Sequence, residues 1–402
     1  MIRKLAMGAT ALTMLSAVPV MAQDMIDVKL GVLNDRSGVY ADLSGEGSVI
    51  AARMAVEDFK AAENGLKVEI ISADHQNKPD IGSNIARQWY EVDGVNAIVD
   101  VPTSSVALAV AELTANMGGV LLDSGAGSTE LTRGQCQPTT IHWTYDTAAL
   151  ANGTGSAITK DGGEKWFFLT ADYAFGHSLE ENTAAVVKDS GGEVVGTVRH
   201  PFPATDFSSF LLQAQGSGAD VIGLANAGGD TVNAIKQASE FGITQAGQSL
   251  AALLFFITDV HALGVETAQG LQLTSAFYWD HDDKTREWSA RFEEMHGAKP
   301  TMVHAGVYSS VSHYLRAVAE TGTTEGPTVA AAMKATEFDD PLFGKGYVRA
   351  DGRVIHDMYL YEVKSPDQSE GEWDVYNMKA TVSGDDAFLP MIDECNFTAD
   401  KG

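Results

Sequence analysis

Three groups of side chains in this sequence have the types that chemistry needs, and each fails on spacing. Gly176-His177-Ser178-Leu179-Glu180 follows a strand-like run, as a serine nucleophile would. A nucleophile turn, however, requires a second small residue where Glu180 stands, so the segment reads as an ordinary helix start. Asp280, His281, Asp282 and Asp283 offer four potential metal ligands. Consecutive residues cannot all converge on one ion without a glycine-bearing loop, and the segment reads as a solvated turn capping the helix that follows from Thr285. The other histidines are scattered singly, without metal-ligand spacing. Ser124-Gly125-Ala126-Gly127-Ser128 lacks both the Gly-x-Gly-x-x-Gly dinucleotide pattern and the lysine of a phosphate-binding loop. No catalytic set, cofactor site or metal site is therefore expected.

Binding features are better placed. Pro102-Thr103-Ser104-Ser105 sits where a strand gives way to a helix, so free backbone N–H groups and hydroxyls would face the carboxyl edge of a sheet. That suits a carboxylate or phosphate; the plainer reading is that Thr103 or Ser104 caps the helix. The loop Leu121–Thr132 (LLDSGAGSTELT) would lie on the same edge, its small residues letting backbone come within hydrogen-bond reach of a ligand.

These loops are positioned by an alternation that runs the length of the chain. Strand-like runs at Val28–Leu33, Val68–Ile71, Ala97–Val101 and Val120–Leu122 alternate with helical periodicity over Gly47–Phe59, Gly82–Val92 and Val106–Met117. After Trp143–Asp146 a second set follows. Its helices fall at Ala148–Thr159, Gly176–Lys188, Phe207–Gln215 and Asp230–Phe241, and its strands at Trp166–Leu169, Glu193–Arg199, Val221–Leu224 and Leu250–Phe256. Such alternation predicts α/β architecture with right-handed βαβ units around mostly parallel sheets, and two sets predict two similar lobes. Helical periods over Thr285–Met295 and His304–Glu320 and a late strand at Met358–Val363 fit either lobe.

The formal net charge of −27 disfavours nucleic acid and anionic membrane surfaces as partners. Residues 1–22 read as a signal peptide: Arg3 and Lys4 lead a largely apolar run from Leu5 to Val20, and Val20-Met21-Ala22 suits cleavage. No cysteine follows the cleavage point, so export to the periplasm without a lipid anchor is expected. Cys136 and Cys395 are the two cysteines present, and an even pair in an exported protein is expected to form a disulfide that pins the C-terminal tail.

With these residues in place the sequence resembles the periplasmic substrate-binding proteins of ABC transporters, in the leucine/isoleucine/valine-binding family with the type I fold. The carriers are Lys29–Tyr40, Gly94–Asp100 ahead of Pro102–Ser105, Ser124–Thr132, Thr170–Gly176, Asp206–Phe210 and Lys236–Gly242. The resemblance implies two lobes joined by three crossing strands, residues 23–146 plus about 278–356 forming the first and 147–277 plus about 357–402 the second. It implies a small-molecule solute trapped as the lobes close, a permease in the inner membrane as partner, and a monomer.

Site residues follow from the resemblance position by position. The family's carboxylate-binding hydroxyl and backbone groups match Ser104 and Ser105, its small residue in the loop matches Gly125, and its aromatic matches Phe175. Two departures stand out: Gly127 replaces a threonine hydroxyl, and no acid occurs near Leu254 or Phe255 where relatives meet an ammonium group. A buried, unpaired ammonium costs on the order of several kcal/mol. Tyr40, Phe175, Phe255, Tyr278 and, less centrally, Tyr308 would supply flat apolar surface. The candidate ligand-binding set is Tyr40, Ser104, Ser105, Gly125, Ala126, Gly127, Phe175, Ala227, Phe255 and Tyr278, and the expected ligand is a carboxylate with an apolar or aromatic body. The alternatives are a branched-chain or other amino acid, or an amide or urea-like solute. A ligand sensor of the same fold is an alternative role; a secreted enzyme is disfavoured.

Overall fold

The computed structural model describes residues 25–397; the expected signal peptide lies outside the described residues. Five parallel strands form the first sheet: β1 (Ile26–Asn34), β2 (Leu66–Asp74), β3 (Ala97–Asp100), β4 (Val120–Asp123) and β5 (Thr140–His142), in the order β2-β1-β3-β4-β5. Four more form the second: β6 (Lys165–Ala171), β7 (Glu193–His200), β8 (Val221–Ala225) and β9 (Ser249–Ala252), parallel in the order β7-β6-β8-β9. The central strands of both sheets are apolar along nearly their whole length because helices cover both faces, which is why they read in sequence as continuous runs.

Two antiparallel sheets complete the chain. β10 (Gln272–Ser275), β14 (Met358–Val363) and β15 (Tyr376–Val382) pair in the order β10-β14-β15. β11 (Phe338–Asp340), β12 (Gly344–Val348) and β13 (Val354–Ile355) form a small meander. The helix Met302–Thr321 packs on the helix Gly45–Asp58 and against β3 and β4, so this late segment covers the first sheet. The chain thus passes between the two groups of strands three times: after β5, after β10, and between β13 and β14.

Two local readings of the sequence change. Ala148–Thr159 is not one regular helix: a π-helical turn over Ala151–Gly155 interrupts it. Gly153 lies so close to β10 that a Cβ there would sit 2.1 Å from the Thr274 hydroxyl. Leu250–Phe256 is a strand only as far as Ala252, because Asp259 accepts the Phe256 N–H at 2.8 Å and starts the helix Ile257–Leu263. Elsewhere Asp282 caps the helix Asp283–His296, accepting the Thr285 N–H at 2.9 Å, as the turn reading requires. The Cys136–Cys395 disulfide is formed and ties the end of the described chain to the loop before β5.

Candidate functional site

A small cavity lies between the carboxyl ends of the two parallel sheets, where α/β sheets place ligands. Its walls are Tyr40, Leu43, Pro102, Gly125 and Tyr145 on the side of the first sheet, and Tyr173, Phe175, Ala227 and Leu254 on the side of the second. Only about 10 Å³ between them is open to the centre of a water-sized body, far below the roughly 300–1,000 Å³ of drug-sized sites, so a solute enters only if these side chains move apart. No lining side chain carries a charge.

The two sides touch around the cavity. The Gly229 amide donates to the Val39 carbonyl at 3.1 Å, and the hydroxyls of Tyr40 and Tyr173 are hydrogen-bonded to each other. On the far side the Thr129 amide donates to the Ser178 hydroxyl at 3.3 Å, and Ser178 is also paired with the Thr147 hydroxyl at 2.7 Å. Ser178, whose spacing raised the nucleophile question, is thus part of this closing contact. The neighbouring His177 instead meets Asp172 at 2.8 Å.

Of the residues singled out in sequence, Tyr40, Gly125, Phe175 and Ala227 meet at this cavity. Gly127 stands behind it. Ser104 is buried, with its hydroxyl accepting the Ser128 N–H at 3.2 Å, and Ser105 is half-buried; neither is on the wall. The Ala126 carbonyl accepts from His142 Nε2 at 2.7 Å. Phe255 and Tyr278 are elsewhere: with the chain turning into its helix at Phe256, Phe255 points into a separate small void that Tyr278 also lines. The Tyr278 hydroxyl donates to the Trp373 carbonyl at 3.1 Å. Tyr308 donates to Asp58 at 2.9 Å, also away from the cavity. Leu43, Pro102, Tyr145 and Tyr173 complete the wall, together with Leu254 at the position where relatives were expected to carry an acid.

The loop after β4 differs from its sequence reading. Asp123, the last residue of β4, accepts the N–H groups of Gly125 at 3.1 Å and Ala126 at 2.9 Å, while the Tyr145 hydroxyl donates to the Gly125 carbonyl at 2.6 Å. The backbone offered in sequence to a ligand is therefore engaged within the chain. Nor is there open space at Gly127: a Cβ would come 2.9 Å from the rings of both Phe175 and Tyr145. Gly127→Thr is accordingly expected to push two wall rings into the cavity and weaken ligand binding about ten-fold or more. Wild-type affinity in a titration of that variant would show that the rings yield.

Buried carboxyl groups surround the site. Asp100 pairs in register with Asp123 and accepts from Asn34 at 3.0 Å and Ser44 at 2.6 Å. Burial pushes both carboxyls above the usual range, with Asp100 adding to the rise at Asp123. Asp230 begins the helix beside Ala227 and accepts the Ala204 N–H at 3.0 Å; burial raises it to about 7. The folded state thus holds this proton more tightly than the unfolded chain, and stability is lost as pH rises from about 4 to about 7. Asp230→Asn is expected to stabilise the protein at pH 8 by about 2 kcal/mol, with the gap closing by pH 4 in urea unfolding. An equal gap at both pH values would exclude ionisation as its cause.

Comparison with known proteins agrees with this architecture. The chain belongs to the periplasmic binding protein family, whose model matches residues 27–371. It is a type I binding protein of the branched-chain amino acid group. A periplasmic binding protein from Burkholderia mallei is 51% identical and superposes with a TM-score of 0.89, covering 94% of this chain and 99% of that one. A periplasmic ligand-binding protein of a branched-chain amino acid ABC transporter from Burkholderia xenovorans is 37% identical, with a TM-score of 0.80 and coverage of 90% and 97%. The Leu/Ile/Val-binding protein homolog 6 of Brucella melitensis is 26% identical over 380 residues, 91% of this chain and 94% of that protein. Members of this family bind small solutes and deliver them to ABC permeases. No helix among the described residues is long and apolar enough to cross a membrane.

Proposed function

We propose that this protein is a periplasmic receptor of an ABC importer that captures a small carboxylate with an apolar or aromatic body and catalyses nothing. The observation that carries the ligand class is the cavity wall: four aromatic rings, Tyr40, Tyr145, Tyr173 and Phe175, with Leu254 and no charged side chain. Rings and an aliphatic wall favour a flat apolar body. An α-amino acid would leave its ammonium against Leu254 and the rings with no carboxylate side chain on the wall to meet it.

In this reading residues 23–146 with about 278–356 form one lobe and 147–277 with about 357–402 the other. The described structure is the closed form, in which a ligand touches both lobes and closure is coupled to occupancy. The protein acts as a monomer and presents the closed form to a permease of the inner membrane. Docking on a sensor instead of a permease would use the same closure.

The Burkholderia xenovorans relative is described as serving a branched-chain amino acid transporter, which makes leucine the competing ligand. A thermal-shift panel decides between them. Benzoate and related aromatic or branched aliphatic carboxylates at saturating concentration should raise the melting temperature, since a ligand at a hundred times its Kd adds about 2.7 kcal/mol. A large shift with leucine and none with any aromatic acid would reverse the assignment.

A further inference from the structure

The polar groups of Gly125 on the cavity wall are spent inside the protein. Gly125 donates its N–H to Asp123 and its carbonyl accepts from the Tyr145 hydroxyl, while the Ser104 hydroxyl, which accepts the Ser128 N–H, lies behind the wall. Asp123 therefore occupies, as a carboxyl group built into the chain, the amides on which an anion bound by this loop would rest. The side chains of Leu43, Pro102, Phe175, Ala227 and Leu254 contribute no hydrogen-bonding group.

Among the side chains of the wall, two hydroxyls are left. Tyr40 comes from the loop after β1 and Tyr173 from the turn after β6, and the two meet across the cleft. A hydroxyl has one proton and two acceptor lone pairs, so in such a pair one proton is used and the other stays available. The rings are held from behind: Phe202 stacks on Tyr173 at 4.2 Å and 18° and leans on Tyr40 at 5.4 Å. The Tyr40 amide donates to Asp35 at 2.9 Å, fixing its loop. Burial pushes both phenols above their ordinary range, which keeps them donors rather than phenolates at any physiological pH.

We propose that the Tyr40–Tyr173 hydroxyl pair is the polar anchor of the cleft, donating its unused proton to an oxygen of the ligand's carboxylate. The contact that recognises the ligand is then also a contact that ties the two sides of the cleft together. This assignment rests on the solute-binding reading above and specifies which groups on the wall meet the ligand's polar end.

Benzoate and nitrobenzene have nearly the same shape, with and without charge, and serve as probes in calorimetric titrations of wild type, Tyr40→Phe and Tyr173→Phe. Each variant should bind benzoate about ten-fold more weakly or worse, the loss expected for a charge-assisted hydrogen bond. Nitrobenzene affinity should be unchanged, so the ratio of the two affinities collapses. Parallel loss of both probes, or unchanged benzoate affinity in both variants, overturns the anchor. Failure of the ligand reading appears in the wild type instead, as binding of leucine but not benzoate. Leucine's carboxylate is then the probe on the same variants; a ten-fold loss upholds the anchor and unchanged affinity overturns it. A wild-type protein that binds neither carboxylate overturns both proposals.

Discussion

Arg353→Ala is expected to destabilise the protein by about 3–5 kcal/mol, the range found when one partner of a buried charged network is removed. Arg353 is wholly buried where the chain crosses between the groups of strands. Its guanidinium donates to the Trp143 carbonyl at 2.5 Å, the Tyr145 carbonyl at 2.9 Å and the Val354 carbonyl at 3.1 Å, with Asp146 at 3.7 Å. Burial pulls it down to about 10, so it is charged at neutral pH. Truncation would leave the Tyr145 and Val354 carbonyls and the Asp146 carboxylate buried around an empty space, while the Trp143 carbonyl keeps its bond from His356 Nε2 at 3.1 Å. Lysine should not rescue it, since a point charge cannot span carbonyls that the planar fork reaches together. The effect is read in urea unfolding; a loss below about 1 kcal/mol would mean that water satisfies those carbonyls. The Tyr145 ring is part of the cavity wall, so a variant that still folds should also bind more weakly.

Gly228→Ala is the second large effect, and it falls on closure. Gly228 has φ 55° and ψ −133°, a backbone conformation suited to glycine alone. A Cβ there would stand 2.4 Å from the Val39 carbonyl oxygen and 3.0 Å from the Tyr40 ring, both across the cleft. Both neighbours belong to the other side of the cleft, so under the proposed closure the added methyl should oppose the closed form in particular. A steric cost of about 1–3 kcal/mol corresponds to an affinity loss of roughly 5- to 150-fold. Small-angle scattering should show the variant keeping its ligand-free radius of gyration in saturating ligand. Wild-type affinity together with wild-type compaction would show that the clash is absorbed elsewhere.

The parallel sheets are legible in the sequence because their strands are buried on both faces. AIVD at β3 and VLLD at β4 are buried at every residue and read as short apolar runs. β15, YNMKATV, alternates apolar and polar residues at strand period, a signal the sequence carries and the reading above leaves unused; its partner β14 is set by tertiary contacts. β11 to β13 are too short to show a period.

The site is legible to the extent that position along the chain fixes it. Tyr40, Gly125, Phe175 and Ala227 follow strand ends, and any residue after a parallel strand is carried to the carboxyl edge. Tyr173 sits two residues before Phe175 in the same turn, which is the signal that could have added it to the set. Tyr145 had no such signal: its ring direction depends on a hydrogen bond to Gly125 and on Arg353, which lies 208 residues away. Gly127 reads as a vacancy because sequence shows a missing side chain, and not the Phe175 and Tyr145 rings that fill its place.

A crystal structure of the protein with benzoate would show whether the ring-lined cavity between the two parallel sheets holds the transported solute. Ligand density is expected among Tyr40, Tyr145, Tyr173 and Phe175, with a carboxylate oxygen within hydrogen-bond distance of the Tyr40 or Tyr173 hydroxyl. Density in the Phe255–Tyr278 void or in a surface groove, with the ring-lined cavity empty, would contradict it.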